Sequence, residues 1–404
     1  MRSIEYRGFN DALLSLRGIA ACAVLMFHGM LVFKVDGLSF GPYDHTFLWF
    51  ASDAGIAAQL EKWTVMLANG HAAVTFFLVH SGFVLALSMS RMTWGSSLPD
   101  GATALIAYAA KRIFRLWPMI IVSCVLAFAY QFAGHKVASP THSTWYSAFF
   151  TSLTDFSDLL HNIALQRFNL VPFLWSLLVE TYGSILMPLF YFLGRRTFTT
   201  YLLLVAFYLL SWAVPSDAYV IVNGWTFSAL STVFVFCFVI GTITAFIRQD
   251  LPQRPSWISQ NALILISFIF LVLARWALPT IGGAVVIEAL ASAVIVYSVY
   301  YHAEGPLQWF CNLRIVKFFG LISFSLYVNS LLCIHISGQI LTRLVPEAFI
   351  EANGLGMNMI AVALAAALVT VLSYLTFHFI EAPFMRAGKQ ISGLMEGRLQ
   401  VAQS

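Results

Sequence analysis

The sequence predicts an all-α fold, a polytopic membrane bundle of about ten transmembrane helices with both termini cytoplasmic. Of its 404 residues, 60% are hydrophobic and only 10% are charged, whereas soluble chains have roughly 45–50% apolar and about 25% charged residues. Apolar stretches extend from end to end, and the mean hydropathy is +0.81. One anchor on a soluble domain would not produce this distribution.

Ten segments have the roughly 20 mostly apolar residues that a span requires: 12–33, 64–90, 116–133, 171–193, 199–214, 224–247, 258–278, 281–301, 318–342 and 356–380. We expect the first to be a retained span, because Arg17 interrupts it and no small-residue cleavage site follows. The fifth is short. The segment 146–165 is aromatic but contains polar residues, and we expect an interfacial helix there.

The basic residues predict the orientation. With a cytoplasmic N-terminus, 16 of the 22 Lys and Arg residues fall on the inner side and six on the outer side, as the positive-inside rule requires. The chain contains no repeat, linker or soluble appendage. We therefore expect one integral membrane domain over 1–404, with a core at 11–385 and a short cytoplasmic tail at 386–404.

Composition argues against several other classes. The net charge is only +4 and no basic tract is interleaved with aromatics, so nucleic acid is not an expected partner. The five cysteines form no CxxC pair, and we expect no metal site. Walker A, HExxH and GxSxG patterns are missing from the sequence as well.

Ionisable residues inside spans indicate functional sites, because their burial in a membrane is costly. Arg17 and His28 are eleven residues apart in the first span, so they share a helix face and are separated by about 16 Å along the axis. Such a stripe suits an elongated ligand that enters from the cytoplasm. The alternative is a snorkelling arginine and a histidine bonded to a nearby carbonyl.

Two further spans carry polar groups. Arg112 and Arg115 share a face at the inner end of the third span, where paired guanidinium donors suit phosphates or simply obey the positive-inside rule. The fourth span places Ser176 and Glu180 on one stripe beside Trp175. The carboxylate is either part of a site or the partner of one of the arginines.

Six motifs in order resemble the acyltransferase 3 family of integral membrane acyltransferases: LRGIAACAVLMFH with Arg17 and His28, FFLVHSGF with Ser81, KRIFRLWP with Arg112 and Arg115, LWSLLVE with Trp175, Ser176 and Glu180, SFSLYV with Tyr327, and IEAPF. They extend over residues 16–384. The pattern departs at Ser330, where the family often has histidine, and at His80, where an aliphatic residue is usual.

The resemblance implies transfer of an acyl group, commonly acetyl, from cytoplasmic acyl-coenzyme A to a hydroxyl of a carbohydrate or glycolipid in the cell envelope or secreted from the cell. It places the protein in the inner (cytoplasmic) membrane, with acyl-coenzyme A as a co-substrate and no bound cofactor. His28 is the expected general base, since imidazole suits proton removal from a hydroxyl, and Glu180 is expected to orient it or stabilise its charge.

We assign the remaining candidates to two substrates. Arg17, Arg112, Arg115 and Ser81 are expected to bind the acyl donor. Trp175, Ser176 and Tyr327 are expected to bind the acceptor. A secondary transporter or flippase of an envelope precursor is the alternative, because it also places Arg, His and Glu inside a bundle, although repeats and broken helices are not evident in the sequence.

The orientation leads to a testable prediction about topology. Reporter fusions at residue 250 and at the C-terminus should report cytoplasm, and fusions near residues 40 and 140 should report the outside, because the basic residues concentrate in the segments assigned to the inner face. An external C-terminus would mean an odd number of spans, with 199–214 the first to be removed.

Overall fold

A computed structural model of the chain describes residues 11–41, 55–92, 94, 98–133, 136–150, 155–196, 199, 202, 206, 219–222, 225–247, 257–278, 281–301 and 305–403. Over these ranges the chain forms a helix bundle, and eight of its helices are long and apolar enough to cross a membrane. This confirms the predicted class, an all-α polytopic bundle.

The elements follow one another in this order: α1 (Asp11–Gly29), α2 (Ile56–Ala68), α3 (Gly70–Ser90), α4 (Leu98–Phe132), α5 (Thr144–Ser147), α6 (Phe156–Ile163), α7 (Leu174–Gly194), β1 (Tyr219–Val222), β2 (Trp225–Ser228), α8 (Ala229–Phe246), α9 (Trp257–Ala277), α10 (Ile281–Tyr301), α11 (Pro306–Cys311), α12 (Arg314–Leu321), α13 (Ser323–Leu344), α14 (Glu347–Ala352), α15 (Gly354–Thr376), a π-helical turn (Phe377–Glu381) and α16 (Ala382–Gln403). The two strands pair as an antiparallel hairpin.

Most predicted spans have a matching helix, and the differences lie at their ends. The predicted span 199–214 lies almost entirely outside the described residues. The span expected from 224 begins later, at Ala229, because residues 225–228 pair with β1 instead. The interfacial segment 146–165 contains the end of α5 and all of α6 rather than one helix.

The second predicted span, 64–90, consists of two helices. Asn69 separates α2 from α3 with a left-handed backbone (φ of 32°), a conformation that asparagine adopts more readily than most residues. Its side-chain oxygen accepts a hydrogen bond from the backbone N–H of Ala72 at 3.1 Å, which caps α3. Hydropathy alone does not register this break, because both helices are apolar.

Two helical segments extend beyond the boundaries that the sequence predicts. α4 starts at Leu98, well before residue 116, and runs through Pro118. α15 continues through the π-helical turn into α16, and Pro383 lies directly after that turn, where the hydrogen-bond pattern of the helix is already interrupted. A Cβ at Gly388 would come 2.7 Å from Phe114, so the polar first half of α4 packs closely on α16.

Helix α1 contacts both α3 and α13 at the centre of the bundle, and Phe77 of α3 meets Tyr327 of α13 with 5.7 Å between ring centroids. α3 packs most closely on α8: a Cβ built at Gly82 would come 2.5 Å from the carbonyl oxygen of Phe238. Membrane helices without side-chain bulk at the interface can approach in this way. Gly82 therefore serves helix packing.

A buried ion pair joins α9 to α10. Arg275 donates two hydrogen bonds to the carboxylate of Glu288, at 2.9 and 3.2 Å, and the Thr75 hydroxyl of α3 donates a third at 2.7 Å. The two ionic side chains are only 7% and 0% exposed. This pairing neutralises both charges inside the bundle.

Removing one member of this pair should be strongly destabilising. Replacing Arg275 or Glu288 alone with alanine should lower the free energy of unfolding by about 3–5 kcal/mol, because the remaining charge is left buried without its partner. The double variant Arg275→Met/Glu288→Leu should lose less. Equilibrium unfolding of the purified protein in detergent would measure all three.

A matched control is the exposed pair Lys317–Asp11, whose N···O distance is also 2.9 Å while its side chains are 35% and 52% exposed. Lys317→Ala should change the free energy of unfolding by no more than about 1 kcal/mol. Equal losses from Lys317→Ala and Arg275→Ala would contradict the argument from burial.

Candidate active site

Helix α1 carries the first two candidate residues at opposite ends. Arg17 lies in its second turn and lines a cavity inside the bundle. His28 lies in its last turn, because α1 ends at Gly29 rather than continuing to residue 33. The residues that follow, such as Leu31 and Val32, remain fully buried, so the helix ends within the protein.

Five of the nine predicted site residues line that one cavity. The full lining is Arg17, Val74, Phe77, Leu78, Ser81, Ser176, Leu177, Glu180, Ser323, Phe324 and Tyr327. Helices α1, α3, α7 and α13 each contribute to it. Its volume is about 30 Å³, which admits only a small group. Residues that we assigned to donor binding and residues that we assigned to acceptor binding thus line the same cavity.

Glu180 is held by Arg112. A guanidinium nitrogen of Arg112 donates to Glu180 Oε1 at 2.7 Å, and its Nε donates to the Ser184 hydroxyl at 3.0 Å. Ser184 in turn donates to the carbonyl of Glu180 at 2.7 Å. Of the two interpretations open from the sequence, the pairing of this carboxylate with an arginine is the one that the geometry shows.

Arg115 faces the junction of α15 and α16. Its guanidinium lies 3.7 Å from Glu381 and donates to the sulfur of Met385 at 2.9 Å. It also lies over the ring of Phe324, a cavity residue, at 5.9 Å. Glu381 is further bound by the hydroxyl of Ser325 at 2.8 Å. This carboxylate therefore binds α4 and α13 rather than marking the end of a helix.

These groups form a single charged cluster with excess positive charge. Arg17 interacts electrostatically with Glu180 and Glu381 as well as with the other two arginines, but it makes no ion pair within 4 Å to any residue that the structure describes. Three guanidinium groups facing two carboxylates leave one positive charge beside the cavity. An anionic ligand would complete this arrangement.

Three polar groups from α7 and α13 meet on another wall of the cavity. The hydroxyls of Ser176 and Tyr327 are 2.8 Å apart, and both lie near the carbonyl of Phe173, at 3.0 and 3.4 Å. Trp175 is directed differently: its ring packs against Phe234 of α8, with 5.1 Å between centroids. It supports α7 from outside this hydroxyl pair.

The imidazole of His28 has a defined tautomer. Its Nδ1 lies 2.9 Å from the carbonyl oxygen of Val24, which can only accept, so Nδ1 carries the hydrogen and Nε2 has the free lone pair. The partner that orients His28 is thus this carbonyl, while Glu180 is bound to Arg112. The ring is packed among Phe27, Trp145 and Phe173, at centroid distances of 4.9, 5.3 and 4.5 Å.

The two departures from the family pattern are both buried. Ser330 donates a hydrogen bond to the carbonyl of Tyr327 at 2.8 Å, within its own helix. His80 lies 6.0 Å from the ring of Phe76, and its Nε2 has no hydrogen-bond partner among the described residues. Ser330 therefore acts within α13, on a residue that lines the cavity.

No pattern in the sequence selects Trp145 or Phe173, two of the aromatic residues around His28. Trp145 comes just before the predicted interfacial segment, and Phe173 comes just before the LWSLLVE motif. No spacing rule connects either residue with position 28, because the contacts are tertiary. The only available signal was the density of aromatic residues in these two segments.

Comparison with known proteins agrees with the class of protein that this fold and site define, a membrane enzyme. A family profile described as an acyltransferase domain matches residues 10–378, nearly the whole chain. The chain belongs to this family, acyltransferase 3, and is a membrane acyltransferase. No curated protein and no solved structure matches it.

Proposed function

We propose that this protein is an O-acetyltransferase of the inner (cytoplasmic) membrane, which moves an acetyl group from cytoplasmic acetyl-coenzyme A to a hydroxyl of a carbohydrate or glycolipid in the cell envelope or secreted from the cell. The observation that carries the proposal is the arrangement along α1. A positively charged cluster surrounds Arg17, and a histidine with an unprotonated Nε2 lies one helix length away.

The charged cluster supports a phosphate-bearing donor. Coenzyme A is long and carries several phosphates, and guanidinium groups bind phosphate through paired hydrogen bonds. Arg17 has no ion-pair partner among the described residues and lies on the predicted cytoplasmic side of the cavity. Arg112 and Arg115 are each held by a carboxylate, which fixes their guanidinium groups in place.

The walls of the cavity supply polar groups to the substrates. Ser81 lies on one wall. The hydroxyls of Ser176 and Tyr327 supply both donors and acceptors for a polar acceptor or for the thioester oxygen. Trp175 would act on the acceptor only through α7, because its ring faces Phe234.

The chemistry follows from the tautomer of His28. Nε2 takes the proton of the acceptor hydroxyl while that oxygen attacks the thioester carbon, the C–S bond breaks, and the imidazolium returns its proton to the leaving thiolate. The same nitrogen would serve a route through an acyl-imidazole. Glu180 stabilises the positive cluster through Arg112, and this electrostatic role replaces the orienting role expected from the sequence.

The decisive test is His28→Ala. Envelope membranes containing wild-type or variant protein would be incubated with [¹⁴C]acetyl-coenzyme A, and alkali-labile label would be measured in the glycan and glycolipid fractions. We expect the variant to lose transfer while retaining its folding, because removal of a general base costs about 10²–10⁴-fold in rate.

His378→Ala is the matched control. The Nδ1 of His378 also lies 2.9 Å from the carbonyl oxygen four residues earlier, that of Tyr374, but this histidine is exposed and lies at the π-helical turn. The His378→Ala protein should transfer acetyl normally. Transfer by a folded His28→Ala protein would remove His28 from the mechanism, and an absence of ester label with the wild type would contradict acetyl transfer itself.

Donor affinity provides a second prediction. Arg17→Ala, Arg112→Ala or Arg115→Ala should raise the dissociation constant of acetyl-coenzyme A by about one to two orders of magnitude, since a charge-assisted hydrogen bond contributes roughly 1.5–3 kcal/mol. Lysine at 112 or 115 should restore only part of the affinity, because it lacks the paired donors. Glu180→Gln should bind the donor nearly normally.

Isothermal titration of the purified variants would measure these constants. Arg167→Ala is the control, because this arginine is 57% exposed and is paired with Asp158 on α6, away from the cavity. Unchanged affinity in the Arg112 and Arg115 variants would mean that these arginines set the membrane orientation and do not bind the donor.

A further inference from the structure

A short segment between α4 and α7 places one aromatic ring on His28. α5 has only four residues, and its second residue is Trp145. The indole stacks on the imidazole of His28, with centroids 5.3 Å apart and planes inclined by 29°. A helix of this length has no stability of its own, so other contacts must hold Trp145 in position.

The first anchor is Ser143, which caps α5. Its hydroxyl donates to the carbonyl of Leu31, and its backbone N–H donates to the carbonyl of Val32 at 2.9 Å. The hydroxyl oxygen also accepts the N–H of Tyr146 at 3.0 Å. Ser143 thus binds α5 to the residues that directly follow α1, so Trp145 and His28 are tied to the same stretch of backbone.

The second anchor is Tyr146, on the other side of α5. Its hydroxyl donates to the carbonyl of His335 in α13 at 2.8 Å, and its ring stacks on the His335 ring at 4.7 Å with planes inclined by 9°. His142 packs on the same tyrosine at 4.6 Å. Burial lowers the pKa of His142 to about 4, so its ring is neutral near pH 7.

The segment after α1 is itself fixed. Asn358 of α15 accepts the N–H of Phe33 at 2.8 Å and donates to the carbonyl of the same residue at 3.1 Å. The backbone N–H of Lys34 donates to the carbonyl of Thr141 at 2.8 Å. The segment after α1 and the segment that contains α5 together hold Trp145 over His28, and both are therefore bound to the bundle at several points.

From this geometry we infer that Trp145 is a positioning residue of the acyl transfer reaction: it holds the His28 imidazole in its reactive orientation and keeps water on the outer side away from Nε2. The inference rests on the proposed function of His28 as the base. The Nδ1 hydrogen bond is local to α1, and the ring needs a neighbour from elsewhere to fix its plane. Trp145 and Phe173 are the aromatic neighbours that other elements supply among the residues that the structure describes.

Loss of the indole should therefore change catalysis rather than donor binding. In Trp145→Ala the imidazole can leave its orientation, and a displacement of about 1 Å can reduce the rate by about 10²-fold. Water that reaches the site would attack the thioester carbon and break the C–S bond, giving acetate and free coenzyme A. We expect the ratio of hydrolysis to transfer to rise, and Trp145→Phe to restore most of the transfer.

The experiment compares Trp145→Ala and Trp145→Phe with Phe156→Ala, an aromatic residue of α6 that is 64% exposed. Each protein is purified and reconstituted in nanodiscs for titration with acetyl-coenzyme A and for thiol release. Alkali-labile [¹⁴C]acetyl label is measured in envelope membranes containing the same protein. Reaction of His28 with diethyl pyrocarbonate, followed by peptide mass spectrometry, reports access to Nε2 without requiring any activity.

We expect Trp145→Ala to bind the donor normally, to transfer acetyl about 10- to 100-fold more slowly, and to expose His28 to diethyl pyrocarbonate severalfold faster. Phe156→Ala should match the wild type in all assays. Normal transfer, or unchanged labelling of His28, in a folded Trp145→Ala protein would overturn the inference. If the wild type itself transfers no acetyl, the proposed function fails, while faster labelling of His28 in Trp145→Ala would still support shielding by the indole.

Discussion

The arrangement of this protein depends on how charges are neutralised inside a bundle that is surrounded by lipid. An isolated charge within a membrane span is costly, and five charged side chains converge on one region here. Arg112 is paired with Glu180 of α7, and Arg115 faces Glu381 at the junction of α15 and α16. These pairs bind α4 to two other parts of the bundle and leave Arg17 directed at the cavity.

The same constraint explains why this region can serve as a site. A pair such as Arg275 with Glu288 and Thr75 is neutralised by its own partners, and losing either charged partner would leave an uncompensated buried charge. The cluster around Arg17 has one more guanidinium than carboxylates, so an anion improves its balance. The candidate binding region thus has excess positive charge, whereas the charges of the Arg275–Glu288 pair balance each other.

Hydropathy predicted the class of fold because the lipid-facing surface dominates the composition. It failed where helices leave that environment. The first half of α4, from Leu98, packs on α16, and the π-helical turn after α15 carries Glu381, which accepts a hydrogen bond from Ser325. Hydropathy measures transfer to lipid, and neither contact involves lipid.

The candidate site was likewise predicted only in part from the sequence. Helical periodicity brought Arg17, Ser176 and Glu180 to one cavity, since residues on one stripe face the same neighbours. Periodicity could not choose the partner of Glu180, because Arg112 and His28 lie on different helices and only their packing decides between them. Trp145 was missed for the same reason: it is separated from His28 by more than a hundred residues.

Under the proposed function, helix α1 determines which donors the candidate site can use. Its backbone fixes a rise of about 16 Å between Arg17 and His28, and the segments bound by Ser143 and Asn358 hold its outer end in place. Under the proposed function, a donor must therefore bind by an anionic end near Arg17 and present its acyl group to His28 at the other end of α1. A long, thin thioester such as acetyl-coenzyme A meets both conditions, whereas a compact acyl phosphate meets only the first. Selection of the donor thus follows from the length of one rigid helix, with the charged cluster and the aromatic rings fixing its two ends.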